Sequence, residues 1–271
     1  MTMQFVALAL ALLASGAMVG LLAGVFGVGG GTVVVPVLYG VFLWLGVPEE
    51  VRMPLCAGTS LALIIPTSLA SFTTHRREAS IDLALLKSWI APIVVGVVGG
   101  AVAARYAPAS LFKIVFVSIA LATAARLLLG NRLPQLGREV PRRFVAPYGV
   151  IIGASASLIG IGGGLLSNLV MTLHGRPIHQ AVATSSGVGV LVSLPGAIGY
   201  MAAGWDKSGL PPYSIGFVSI VAVLLLMPTS FFAAKIGASL AHTMSKHRLE
   251  CAFACYLILV SMQFCFSLAA A

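Results

Sequence analysis

Two glycine clusters, each followed by a short apolar stretch, are the residues of this 271-residue chain best suited to bind a ligand. The sequence reads GVFGVGGGTVVVP from residue 24 and SLIGIGGGLLSNL from residue 157. A helix that begins at such a cluster presents backbone N–H groups at its positive dipole end, and the missing side chains let an anion approach the backbone. The candidate anion-binding residues are Gly29, Gly30, Gly31 and Thr32 in the first cluster and Gly162, Gly163, Gly164 and Leu165 in the second.

Hydroxyl side chains near the starts of two long apolar segments form a second candidate set. They occur as Thr59-Ser60 and as Thr184-Ser185-Ser186. Hydroxyls donate hydrogen bonds to an oxyanion without placing a fixed charge inside a membrane. Both sets also have plainer interpretations, because glycines permit close helix packing and Ser or Thr hydroxyls bond back to the preceding turn of a membrane helix.

The composition places these candidates in a membrane protein. Hydrophobic residues make up 59% of the chain and charged residues 8%, whereas a soluble domain carries about a quarter charged residues. Apolar stretches of about 20 residues, the length that crosses a bilayer as a helix, recur throughout. We predict an all-α polytopic membrane protein with eight long segments and two short half-helices, at residues 32–45 and 165–173. The long segments cover residues 3–24, 53–73, 83–105, 111–129, 144–160, 181–203, 215–241 and 249–270.

The two halves of the sequence repeat each other. The glycine clusters align at an offset of 133 residues, AGTSLALIIPTSLAS aligns with VATSSGVGVLVSLPG at 125, and GGAVAAR aligns with IGASLAH at 137. Internal repeats of this size are typical of secondary transporters. Each half contains an odd number of crossings, so we predict two inverted repeats, residues 1–129 and 144–271, joined by a polar linker at residues 130–143. Inversion would bring the matched hydroxyls to opposite sides of one site near the midplane.

The net charge of +9 comes from basic residues in short loops, which is typical of membrane topology rather than of nucleic-acid binding. Eleven Lys and Arg residues fall on the side of the bundle that carries the linker, and four fall on the other side. The basic side of such proteins faces the cytoplasm. We predict a multi-pass protein of the inner (plasma) membrane with a cytoplasmic linker and periplasmic termini. The four loop charges of the opposite side are Arg52, Arg105, Lys113 and Lys207.

The sequence contains no motif for catalysis, nucleotide hydrolysis or metal binding. Carboxylates occur only at segment starts and in loops, so the path through the membrane lacks the groups that a cation or metal carrier needs. The four cysteines lie within apolar segments, and Cys251 and Cys255 have no second pair at zinc spacing. We therefore predict that the protein is not an enzyme and holds no cofactor or metal.

The chain resembles the TauE/SafE sulfite exporter family (TSUP) over nearly its whole length. The resemblance is carried by the paired GVFGVGGGTVVVP and GIGGG motifs, the AGTSLA and VATSS segments and the HRREASID loop. It implies a bacterial-type inner-membrane transporter, of the four-toluene-sulfonate-uptake type, for sulfite, thiosulfate, sulfoacetate and related organosulfonates. The second half has Ser186 and Gly187 where the first half has Leu61 and Ala62, so the two half-sites need not contribute equally.

These patterns together predict a secondary transporter that moves a small sulfur-containing anion across the lipid bilayer by alternating access around a central site. The alternative is a membrane accessory or assembly subunit that has no transport cycle of its own. The sequence leaves open which anion is carried, the direction of transport, the coupling ion and the oligomeric state.

Overall fold

Ten helices make up most of the part of the chain that the structure describes. The computed structural model describes residues 13–22, 31–77, 81–129, 137, 140–243 and 246–269. The helices of the first half are α1 (Leu13–Leu22), α2 (Gly31–Trp44), α3 (Glu49–Arg77), α4 (Leu83–Tyr106) and α5 (Ala109–Leu129). The elements of the second half are α6 (Arg142–Ile159), α7 (Gly164–Leu173), α8 (Ile178–Ala203), an antiparallel hairpin of β1 (Ser214–Ile215) and β2 (Val218–Ser219), α9 (Ile220–Thr243) and α10 (Lys246–Ala269).

Five of the described helices, α3, α4, α5, α8 and α10, are long and apolar enough to cross a membrane. Large apolar side chains point outward from the bundle; Val95 and Val102 on α4 and Leu259 on α10 are more than half exposed. Such a surface is stable against lipid and costly in water. The predicted all-α polytopic membrane protein is thus confirmed.

The two short helices lie where the sequence predicts them. The expected segment at 32–45 is α2, and the expected segment at 165–173 is α7. At 1.5 Å per residue, α2 is roughly 21 Å long and α7 roughly 15 Å, both shorter than a hydrocarbon core of about 30 Å. Each helix therefore begins or ends inside the bilayer, where its terminal backbone groups need partners.

The predicted long segment at 215–241 is wrong at its start, because α9 begins only at Ile220. The preceding apolar residues form the hairpin, and Phe217 and Val218 at its turn are buried. The Phe217 N–H donates to the Tyr200 carbonyl (3.1 Å), which holds the hairpin against the end of α8. A buried hairpin and a membrane helix are equally apolar, so composition does not separate them.

Glycines set two close helix contacts that correspond in the two halves. Gly149 and Gly153 of α6 pack on Pro92 and Ile93 of α4, where a side chain would collide with the facing helix. Gly16 and Gly20 of α1, at the same offset of 133 residues, pack in the same way on α9. Small residues that let backbones approach are the usual basis of helix association in membranes.

The bundle has two ends, which we name after the segments they carry. The hairpin end carries the β-hairpin, the α4–α5 turn and the start of α3; the linker end carries the end of α5 and the start of α6. Arg105 near the end of α4 donates to the Ala203 carbonyl at the end of α8 (3.4 Å), so both helices end at the hairpin end. Helix α3 begins at that end, because its first residue Glu49 pairs with Lys113 just after the same α4–α5 turn.

Helices α3 and α8 therefore run in opposite directions, although they carry the matching AGTS and VATS segments. Antiparallel counterparts are what an inverted repeat requires. The observation favours the inverted repeats, which stay a prediction together with the boundaries at residues 129 and 144. The first residue of α6, Arg142, lies inside the predicted linker.

Candidate anion-binding site

The two glycine clusters meet inside the bundle. A methyl group on Gly31, the first residue of α2, would lie 2.6 Å from the Ile161 Cα, and one on Gly160 would lie 2.7 Å from the Ala57 Cα of α3. The start of α2, the segment between α6 and α7, and α3 therefore approach each other at backbone distance. Gly29 and Gly30 lie outside the described residues.

The segment between α6 and α7 uses glycines for its conformation as well as for packing. Gly160, Gly162 and Gly163 have φ angles of 69°, 70° and 77°, values that other residues rarely adopt. A methyl group on Gly163 would also come within 2.9 Å of Val188 and Val192 side chains on α8. Close packing and chain reversal thus account for these glycines without any ligand.

Gly164 differs from its neighbours, because a side chain there would meet nothing within 4 Å. It is the first residue of α7, and no side chain caps this helix start. Helices α6 and α8 also begin without a side-chain cap, but at Pro141 and Pro177, which are exposed, whereas Gly163 is buried. A buried helix start that has no side-chain cap and has open space beside it is suited to an anion.

Thr59 and Thr184 occupy equivalent roles in the two halves. The Thr59 hydroxyl accepts a hydrogen bond from the backbone N–H of Ser219 (3.0 Å), and the Thr184 hydroxyl accepts one from the N–H of Asp82 (2.9 Å). Ser219 and Asp82 immediately precede α9 and α4, and their own side chains accept from backbone N–H groups three residues later. Each threonine therefore secures the capped start of a helix from the other half of the chain.

The serines of the candidate set use their hydroxyl hydrogens within the protein. Ser60 donates to the Gly160 carbonyl (2.7 Å), which ties α3 to the second glycine cluster. Ser185 and Ser186 donate to the Val182 and Ala183 carbonyls of the preceding turn. A hydroxyl has one hydrogen to donate. In this conformation the three serines have no hydroxyl hydrogen left to donate to an anion. Thr59 and Thr184 accept their hydrogen bonds, so each keeps its hydroxyl hydrogen for a ligand.

Thr32 is the candidate whose hydroxyl lacks any partner. The residue is 1% exposed, lies in the first turn of α2 beside Gly31, and its Oγ1 makes no hydrogen bond. A buried polar group without a partner typically costs about 1–3 kcal/mol, so this hydroxyl is available to a bound ligand.

Asn168 has the same property and was not among the candidates predicted from the sequence. It lies one turn into α7, and its buried Oδ1 makes no hydrogen bond. The signal was visible: an amide side chain stands in an otherwise apolar half-helix directly after a glycine cluster. The counterpart residue of α2, at the offset of 133, is Val35, so the two half-sites differ chemically.

Comparison with known proteins places this chain in a family. The model of the family described as Sulfite exporter TauE/SafE matches residues 12–264. A probable membrane transporter protein of Haemophilus influenzae is 30% identical over 261 residues, covering 91% of this chain and 94% of that protein. A probable membrane transporter protein of Methanocaldococcus jannaschii is 28% identical, covering 91% of each. No solved structure matches the chain significantly. These matches indicate a membrane transporter rather than an enzyme.

Proposed function

Because this chain belongs to the TauE/SafE sulfite exporter family, we propose that it is a secondary transporter for small sulfur-containing anions, such as sulfite, sulfoacetate or another organosulfonate. The proposal includes alternating access around a central site in an inner (plasma) membrane, with the linker end cytoplasmic and the termini periplasmic. It goes beyond the family match, which supports transport but not the cargo.

The start of α7 is the observation that carries the proposal. It is buried and uncapped, and the space beside Gly164 is open. The starts of α4 and α9 are capped by the Asp82 and Ser219 side chains, so the chain supplies caps at other helix starts and none at α7. An oxyanion at α7 would accept the free N–H groups and benefit from the helix dipole without needing a lysine or arginine.

Neutral hydroxyl donors complete the proposed site. Thr32 supplies an unpaired hydroxyl from the first turn of α2, and Thr59 and Thr184 retain a hydrogen while accepting from helix caps. In the described part of the chain, Gly31 packs against the Ile161 backbone and holds the two clusters together. Transport therefore requires the clusters to separate, which would also free Ser60 from the Gly160 carbonyl.

The test is flux into liposomes that contain the purified protein. Radiolabelled sulfite, sulfate and sulfoacetate are offered to wild-type protein and to Gly164→Val, with choline as a cation control. A valine at Gly164 occupies the open space without a collision, so the protein folds but the anion loses the helix-start hydrogen bonds. Losing hydrogen bonds to a charged acceptor typically costs about 1.5–3 kcal/mol, so we expect binding to weaken by roughly 10- to 150-fold.

Gly99→Val is the matched control. Gly99 is an exposed glycine of α4, and a side chain there also meets nothing within 4 Å. This variant should transport as the wild-type protein does. Equal flux through Gly164→Val and Gly99→Val would show that the start of α7 is not part of the anion site. A wild-type protein that transports none of the three anions would favour the accessory-subunit alternative.

A further inference from the structure

Two buried cations lie together at the hairpin end, away from the glycine clusters. Lys113 of α5 is 1% exposed and Arg52 of α3 is 9% exposed. Both lie over the ring of Tyr39 on α2, with the Arg52 guanidinium carbon 5.3 Å and the Lys113 Nζ 5.7 Å from its centre. From the sequence, both residues count with the loop charges, although Lys113 falls within the predicted segment 111–129; in the structure each lies inside a helix.

These two cations share a single carboxylate. The Lys113 Nζ pairs with Glu49 Oε1 at 2.5 Å, and no described carboxylate lies within the 4 Å of an ion pair to Arg52, whose Nε and Nη2 donate to the Val47 carbonyl. Helices α3 and α5 begin near this cluster and α2 and α10 end near it, so their dipole charges offset one another. The cluster therefore carries an excess of one positive charge in a buried place, where an uncompensated charge is costly.

Glu49 is the only accessible member of the ion pair, since its side chain is 43% exposed. If its carboxylate turns outward to solvent, the side chains left in the cluster can all donate hydrogen bonds, while the Val47 carbonyl stays engaged by Arg52. These donors are the Lys113 ammonium, the Arg52 guanidinium and the hydroxyls of Tyr39 and Ser267; Ser267 lies 2.8 Å from the Lys113 Nζ and 3.2 Å from the Tyr39 hydroxyl. Convergent cationic and hydroxyl donors are the groups that bind a small oxyanion.

We propose that this cluster is a second anion-binding site, at which a small oxyanion exchanges with the Glu49 carboxylate on Lys113. The site lies at the end of the bundle opposite the linker, so an anion held there is at the entrance to, or exit from, the membrane interior. Its donors are charged, whereas those of the central site are neutral. The second site would therefore capture anions from solution, and the central site would move them.

Sulfite binding to the purified protein in detergent, measured by equilibrium dialysis, tests the proposal. The measurement uses the Gly164→Val variant as background, so that binding at the central site is reduced. Adding Glu49→Gln removes the internal competitor, and the sulfite affinity should rise by roughly 5- to 30-fold, the effect of losing one partly exposed charge-assisted bond. Adding Lys113→Met instead should abolish the remaining binding. An increase in affinity does not arise from misfolding.

Asp206→Asn is the matched control, because Asp206 pairs with Arg105 at the same end of the bundle but is 72% exposed. It makes the same change of net charge and should leave sulfite affinity within about twofold, as exposed pairs contribute little. Equal effects of Glu49→Gln and Asp206→Asn, or unchanged binding in both Glu49→Gln and Lys113→Met, would overturn the second site. If Gly164→Val alone binds and transports sulfite normally while Glu49→Gln still raises affinity, the second site stands and the proposed central site falls.

Discussion

Replacing Thr32 by valine is expected to stabilise the protein and weaken anion binding at once. Valine has the shape of threonine but no hydroxyl, and the Thr32 hydroxyl is buried without a partner. Removing an unsatisfied buried hydroxyl recovers about 1–3 kcal/mol of unfolding free energy. For a chain of this size about 1 kcal/mol shifts Tm by 2–4 °C, so the melting temperature should rise by roughly 2–12 °C.

The same substitution removes a donor from the proposed central site. A hydrogen bond to a charged acceptor contributes about 1.5–3 kcal/mol, which corresponds to a loss of roughly 10- to 150-fold in affinity. The assay is thermal unfolding in detergent with and without sulfite. Thr32→Val should melt higher than wild type without the anion and gain less stability from it, because stabilisation by a ligand follows its affinity.

Thr59→Val supplies the contrasting control. The Thr59 hydroxyl accepts the Ser219 N–H, so valine there leaves a buried donor unpaired and should lower stability by about 1–3 kcal/mol. The same Thr→Val change is therefore expected to raise the stability at position 32 and to lower it at position 59. A Thr32→Val protein that melts lower than wild type, or that keeps full stabilisation by sulfite, would refute the argument that this hydroxyl awaits an anion.

Three further expectations follow from the packing and the charge distribution. Thr184→Val should lower the free energy of unfolding by about 1–3 kcal/mol, because the Asp82 N–H loses its acceptor; unchanged detergent melting would contradict this. Gly153→Leu should prevent folding, measured as loss of a monodisperse peak on size exclusion, since α6 touches the α4 backbone there. A cysteine at Gly137 should be labelled from the cytoplasm and one at Lys207 from the periplasm; the reverse pattern would invert the predicted topology.

The helices were largely predictable, because a helix that crosses a bilayer needs about 20 apolar residues and such stretches are visible in the sequence. Both short helices begin within one residue of their predicted starts, since glycine triplets interrupt the apolar pattern. The hairpin before α9 was not predictable, because Phe217 and Val218 are as apolar as a membrane helix and their burial depends on α3 and α8.

The hydrogen-bond partners of the candidate site residues could not be predicted, because they lie far away along the chain. Repeat symmetry pairs Thr59 with Thr184, and the two make similar hydrogen bonds, but their partners lie 160 and 102 residues away. The pairing of Lys113 could not be predicted either, because its counter-ion, Glu49, is 64 residues earlier. Hydrophobic periodicity predicts which face of a helix is apolar, but it does not predict which distant group a polar side chain contacts.

The two threonine–cap bonds also have a consequence for biosynthesis, because each joins the two halves of the chain. The ribosome makes Asp82 102 residues before Thr184, an interval of roughly 5–20 s at ordinary elongation rates. During that interval the Asp82 N–H at the start of α4 lacks its acceptor, and the first half waits in the bilayer with an unfinished helix start. A chain that stops after residue 129 never forms this bond, so we expect the first half alone to be less stable than it is within the full chain.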